Sequence, residues 1–409
     1  MNTIVLAARG LPAGFLGPYG NEWVATPNLD RLAADAVVFD NHYADAPELA
    51  AACRTWRTGR RGITGGDFDL VRHLNRYGVR TVLVRHARPG NDLPADFVAD
   101  WSRVIDAPPS PADRSPIDAL VRALQTLAAE LGATTPWLVW VDIDRFVPPW
   151  DAPSDVFEAY IEGLFDDDGP LDPEADPSGA SELPPQADAV VEPWLDPPTG
   201  WFDGDDVASR ELLYRTFAAA VTTFDADFGR LWKAVESLGW LDAANVVLTA
   251  DRGTPLGEHG VIGLHRPWMH EELIHLPLIV RLAGAEHAGR RVAALTQTPD
   301  LTPTLLDWAG VPLPDGIDGT SLAAACRGEA LPPRIAFGGL ELDGRRESYL
   351  RTADWHLIAL AEAPAEDDDD PRGVQLYAKP DDRWEQNDVS AAHADLGDEL
   401  GAQLRAASR

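Results

Sequence analysis

Cysteine is nearly absent: only Cys53 and Cys326 occur in 409 residues. Two thiols form one bridge at most, so no disulfide framework holds this chain together, and two unpaired thiols are expected. Basic residues are also scarce. The 34 Lys and Arg face 66 Asp and Glu, for a formal charge of −32. Such a balance favours solubility and argues against a nucleic-acid partner, which needs concentrated Lys and Arg. It slows a polyanionic substrate as well, although salt screens that penalty and a local basic pocket can survive it. No stretch approaches the roughly 20 apolar residues of a membrane span, so no membrane partner is expected. Met1–Arg9 has no basic leader and too short an apolar run for a secretory signal. As written, a cytoplasmic location is expected, unless a signal peptide lies upstream of this start. No internal repeat is visible.

What is present suits a packed globular protein. Hydrophobic residues make up 45% and charged residues 24%, with 14 Trp. Short apolar blocks alternate with helical patterns. Thr3–Ala8, Thr81–Val84, Trp137–Ile143, Val246–Thr249 and Leu276–Val280 read as buried strands. Thr26-Pro27-Asn28-Leu29 opens a helix, with Thr26 as N-cap and Pro27 at the first helical position. Asp118–Leu131 places leucines at helical spacing, and Ser209–Leu238 is long enough for about eight turns. Thr302-Pro303 repeats the opening, and that helix closes on Gly310. This alternation implies an α/β fold with a doubly wound, largely parallel sheet flanked by helices. Residues 165–206 are dense in Asp, Pro and Gly. They read as an insertion or loop, ordered where Trp194 and Trp201 find a pocket. A second acidic run, Glu366–Asp370, reads as a solvated loop. From about residue 335 the texture changes to short strand-like pieces. The expected division is therefore 1–334 for the α/β domain and 335–409 for a small C-terminal β-rich, α+β subdomain.

Four ordered segments carry a family resemblance. The first is Leu16-Gly17-Pro18-Tyr19-Gly20 with Thr26-Pro27-Asn28-Leu29-Asp30-Arg31-Leu32. The second is Thr58-Gly59-Arg60. The third runs from Asp225 through Thr249-Ala250-Asp251-Arg252-Gly253 to Gly257-Glu258-His259-Gly260. The fourth joins Asp300-Leu301-Thr302-Pro303-Thr304-Leu305-Leu306 to Asp318-Gly319-Thr320-Ser321-Leu322. A weaker tail match includes Leu376-Tyr377 and Glu385-Gln386-Asn387. Together they resemble the sulfatase family of the alkaline-phosphatase-like superfamily, along nearly the whole chain.

That resemblance implies a calcium ion held mainly by carboxylates, and a formylglycine nucleophile made from a Cys or Ser in a C/S-x-P-x-R motif. A hard cation takes oxygen ligands and polarises the sulfate, while basic side chains offset the developing charge. This sequence departs from the pattern at nearly every such position. Arg9 and Gly10 stand where paired aspartates are expected. Leu49 stands at the formylglycine precursor, with Ala51 and Cys53 in place of its Pro and Arg. Val147 replaces a His, and Leu264, followed by His265, stands at the substrate lysine. Asp251 is the one expected metal ligand that survives, and its neighbour is Arg252. No cofactor is therefore expected. Arg9, Arg252 or both are expected to pair with Asp251 in the former metal slot. Cys53 is a tempting displaced nucleophile, although Arg54-Thr55-Trp56-Arg57 does not give the context for conversion. Its plain reading is a packing thiol. His259 and His265 read as turn and loop histidines, with proton transfer as the sharper alternative. Arg54, Arg57, Arg60 and Arg61 could coat a helix and, with Arg9 and Arg252, bind a small anion or sulfated molecule. Three functions stay open: a catalytically degenerate sulfatase homologue; a hydrolase of sulfate or phosphate esters using Cys53, Asp251 and His265; and a scaffold or anion-binding partner of active sulfatases. The first is the expected one. Oligomeric state is not readable from the sequence.

Overall fold

The computed structural model describes residues 1–62, 68–86, 92–131, 135–161, 191–360 and 373–408. Most of the 165–206 segment and all of Glu366–Asp370 lie outside the described residues. Strands are numbered in chain order: β1 Asn2–Ala8, β2 Val37–Tyr43, β3 Arg80–His86, β4 Arg103–Ala107, β5 Trp137–Ile143, β6 Gly200–Trp201, β7 Ala244–Thr249 and β8 Val261–Ile262. They continue as β9 His275–Leu276, β10 Leu278–Arg281, β11 Arg290–Gln297, β12 Ala336–Leu342, β13 Arg345–Arg351, β14 Trp355–Leu360 and β15 Gln375–Ala378. The main sheet runs β11-β2-β10-β7-β1-β5-β3-β4, with β9 also paired to β2. Its centre is parallel, β1 lying between β5 and β7, while β10 runs antiparallel to β2 and β7.

Side-chain alternation along β1 explains the layering. Ile4, Leu6 and Ala8 join one core, and Val5 and Ala7 join another on the opposite face. Both faces are covered, so the strand reads as an unbroken apolar run. The first core packs under the helices Pro27–Ala34, Ile117–Ala128 and the 31-residue Val207–Ser237, and the second under Leu49–Thr58, Leu70–Arg76 and Leu301–Ala309.

Three local expectations change on folding. The single strand Leu276–Val280 is two, because Pro277 lacks the N–H a continuous ladder needs. Thr26 occupies the cap position, but its side chain does not cap the helix. Its Oγ1 accepts from the Gly17 N–H at 3.0 Å, while the N–H groups of Asn28 and Leu29 go to the Asp225 carboxylate at 3.1 and 2.8 Å. Thr302 lies inside its helix, which begins at Leu301, and its hydroxyl donates to the Trp56 carbonyl.

The C-terminal strands β12–β15 form an antiparallel meander, with the Ala394–Ala407 helix on one face through Leu400 and Leu404. On the other face Tyr349, Ile358 and Tyr377 share a core with Tyr43, Trp268 and Met269 of the larger unit. Among the described residues no helix is long and apolar enough to cross a membrane.

Candidate active site

Parallel strands leave their C-terminal ends at one edge of the sheet, where α/β proteins place ligands. Here β1 ends before Arg9, β5 carries Asp142, and β7 leads into Asp251. Adjacent register sets Ala7 beside Asp142 and beside Thr249, so the three chain turns converge. They converge as ion pairs. Arg9 Nε donates to Asp142 Oδ1 at 2.7 Å and its Nη2 to the other oxygen, a two-pronged contact. Arg252 Nη1 donates to Asp251 Oδ2 at 2.9 Å, and the Gly10 N–H takes Oδ1 at 2.8 Å. The Asp251 side chain has no solvent exposure. The Gly10 carbonyl accepts from Thr254 Oγ1 at 2.7 Å.

Gly10 is more than a missing carboxylate. Its φ of +76° is left-handed, and a Cβ there would meet Thr254 Oγ1 at 3.2 Å and Phe146 Cβ at 3.3 Å. The backbone has adapted to deliver an N–H where the resemblance expects a side-chain ligand. The expected pairing of arginine with Asp251 is found for Arg252 alone. Arg9 goes to Asp142, which the sequence reading did not include. The available signal was a lone acid near the end of the apolar run Trp137–Ile143. Burial opposes the charge on Arg9, yet Asp142 outweighs it and keeps the guanidinium firmly protonated. The same burial pushes the Asp142 carboxyl up even with Arg9 beside it. The contact favours the charged form of both partners, and burial opposes it in both. The bidentate geometry holds the two opposite charges together.

Leu49, which the resemblance sets at the formylglycine position, is the first residue of the Leu49–Thr58 helix. Glu48 caps that helix, accepting from the N–H groups of Ala50 and Ala51. Cys53 lies on its inner face and is 1% exposed. Burial pushes its thiol well above the ordinary range, and the charges of Asp142 and Asp251 add to the shift, so the sulfur remains a thiol. Both cysteines are free and buried. Val147 is half-buried in the turn after β5. Leu264 packs on the core shared with the C-terminal unit, and the His265 ring lies edge-on to Trp201 at 5.9 Å. Val147, Leu264 and His265 thus add no ligand or nucleophile to the paired charges.

The expected arginine-coated pocket mouth is not formed. Arg57 is buried, binding Asp69 at 2.7 Å and the carbonyls of Phe97 and Ala99. Arg60 donates to the Gly316 carbonyl, and Arg61 to Gln297 and Asp318. These contacts fasten the helix to its neighbours. Arg54 Nε is buried without a partner among the described residues.

The residues present do not fit a calcium cage. That ion takes 6–8 oxygen ligands, with several carboxylates among them. Here Asp142 and Asp251 each carry a guanidinium, and Gly10 offers no side-chain oxygen. Among the described residues no group of three His, Cys, Asp or Glu is arranged to hold a metal ion.

His259, by contrast, belongs to a different cluster. Its Nδ1 meets Glu272 at 2.7 Å and its Nε2 the Glu385 carbonyl at 3.1 Å, and its ring stacks on His270 with centroids 3.8 Å apart. Glu385, fully buried, binds His270 at 2.8 Å, Lys379 at 2.9 Å and His356. The sequence reading noted Glu385 only in a tail motif.

A mixed, mainly parallel sheet between helix layers, with a small antiparallel sheet at its C-terminal side, is an alkaline-phosphatase-like fold. Comparison with known proteins supplies the family resemblance. The Sulfatase family model matches residues 160–311. The N-acetylglucosamine-6-O-sulfatase of Bacteroides thetaiotaomicron is 39% identical over 119 residues, 29% of this chain and 21% of that protein. The ulvan-active sulfatase of Formosa agariphila is 29% identical over 211 residues, 48% of this chain and 41% of that one. The chain thus spans less than half the length of both relatives. The phosphonate monoester hydrolase of Agrobacterium radiobacter superposes with a TM-score of 0.73 at 19% identity, covering 100% of this chain and 95% of that one, a likeness of fold alone. Over residues 160–311 and the stretches shared with these relatives, the chain resembles the sulfatase family.

Proposed function

We propose that this protein is a sulfatase-family member that has given up ester hydrolysis and retains the fold for a binding role. The carrying observation is the Asp251 carboxylate, fully buried, with one oxygen on the Gly10 N–H and the other on Arg252. A cation entering there must displace a guanidinium, and it would meet Arg9 close by with its positive charge. Two further features support the reading. Leu49 has no atom that can become a nucleophile, and the Cys53 thiol is held protonated by burial. The sulfatase names of the relatives describe those proteins, and the present site differs from the family pattern at the residues that would do the chemistry. Metal analysis of the purified chain, calcium titration by calorimetry, and turnover of aryl sulfate and aryl phosphate with and without calcium test the proposal. No calcium binding in the micromolar range and no turnover above a heat-inactivated control are expected. Hydrolysis that survives repurification would overturn it in favour of an unconventional ester hydrolase.

A further inference from the structure

A cleft of about 200 Å³ opens between the β2–β9 edge of the main sheet and the C-terminal unit, and none of its lining residues belongs to the Arg9–Asp251 site. Its size exceeds by more than tenfold the ~10–15 Å³ that one water needs. Four cations line it. Two are matched: Arg291 with Asp40 at 2.5 Å, and Lys379 with Glu271 at 3.3 Å and Glu385 at 2.9 Å. Two are not. Arg351, 4% exposed, spends Nη1 on the carbonyls of Thr352, Ala353 and Trp355, and its Nε has no partner among the described residues. Arg383 donates Nη2 to the Tyr19 carbonyl at 2.8 Å and lies 4.8 Å from the Trp384 ring. Carbonyls satisfy hydrogen bonds but leave the charge standing.

Two uncompensated guanidinium groups in a half-open cleft are unexpected on a chain with a formal charge of −32. Asp40 and Glu271 share the cleft, but they pair with Arg291, Lys379 and His275, and among the described residues neither Arg351 nor Arg383 makes an ion pair with a carboxylate. Guanidinium forks match tetrahedral and planar oxyanions, and partial burial strengthens the attraction. The four cations outnumber Asp40, Glu271 and Glu385, and the two guanidinium groups outside those ion pairs suit a head group with several charged oxygens. From this we infer that the cleft is a binding site for a tetrahedral dianion, sulfate or phosphate, free or as the head group of a small molecule. The local cluster also answers the objection that an acidic protein repels anions, since that field is screened beyond about 10 Å while the cleft acts at contact. The inference does not depend on the loss of hydrolysis, because that test reads the strand-end site.

Calorimetric titration of the full chain at low ionic strength with inorganic sulfate, inorganic phosphate and acetate tests the site. Sulfate or phosphate is expected to bind saturably, at least tenfold tighter than acetate. Arg383→Gln should weaken binding at least tenfold, with a thermal melt close to that of the parent chain. Arg252→Gln, at the other site, should leave the affinity unchanged. Asn41→Asp places a carboxylate in the cleft and should weaken binding comparably. It therefore serves if the Arg383 variant fails to fold. Absence of saturable binding, equal affinity for acetate, or loss of binding through Arg252→Gln alone would overturn the assignment.

Discussion

Arg9 shows what one residue costs and gives. Its bidentate contact with Asp142 is almost fully enclosed, so removing one partner leaves the other charged and dry. Arg9→Met is expected to cost about 3–5 kcal/mol in urea unfolding. The double variant with Asp142→Leu should cost markedly less than the sum, because no unpaired charge remains. Additive losses would show that the two side chains act independently. Cys53 makes a second residue-scale prediction. Burial and the neighbouring carboxylates keep it a thiol, so an aromatic disulfide reagent should label neither cysteine in the folded chain and both in denaturant. The side-chain chemistry was legible in the sequence, since Leu49 cannot be a nucleophile wherever it lies. The partner of Arg9 was not. Asp142 is 133 residues away, and nothing in local spacing links them.

At the scale of elements, periodicity was an adequate guide and capping was not. Strand β5 runs over Trp137–Ile143, as its apolar block indicates, and Gly310 closes its helix at a φ of +66°. Thr26 looked like a sufficient cap, yet the helix it begins is capped from the Val207–Ser237 helix. Asp225 accepts from the backbone of Asn28 and Leu29 and from the Asn28 side chain at 2.8 Å. A carboxylate at a helix N-terminus also meets the positive end of the helix dipole. Asp225→Ala should therefore destabilise the protein by about 1–3 kcal/mol, and Thr26→Val by less, as read from denaturant midpoints. The reverse order would refute the tertiary cap.

For the whole molecule, the seam between the two units is polar as well as apolar, and its charges set a pH window. Burial, reinforced by the charge on His259, pulls His270 down to about 4 from 6.5. Burial opposes the charge on His259, but Glu272 overcomes it and lifts the ring to about 9. Glu271 is held near 2, where Lys379 and His275 outweigh burial, and Glu385 also lies well below its usual range because His356, His270 and Lys379 surround it. The signs then follow from linkage. His259 stabilises fully below about pH 6.5, and that contribution is lost as the pH rises through 9. His270, neutral when folded, costs stability as the pH falls from 6.5 toward 4, because the unfolded chain takes up the proton. Glu271 adds a loss between 4.5 and 2. Folding free energy should peak near neutrality and fall on both sides, by up to about 3 kcal/mol from His270 alone. His270→Gln should flatten the acid limb between pH 6.5 and 4. An unchanged limb would assign the loss to other groups, with His42, lowered to about 3 by burial, the next candidate.

Sequence by itself determined the alternation of strands and helices, the layered sheet, and the side-chain types at positions 9, 10, 49 and 264. Those are properties of side-chain type and short-range periodicity, which the chain carries wherever it folds. Tertiary structure decided which charges meet: Arg9 with Asp142, Asp251 with Gly10 and Arg252, Asp225 with a distant helix, Glu385 with three histidine and lysine partners from both units. Except for the neighbouring Asp251–Arg252 pair and the nearby Lys379–Glu385 pair, these contacts join residues remote in the chain, and burial gives those few pairings their energetic weight.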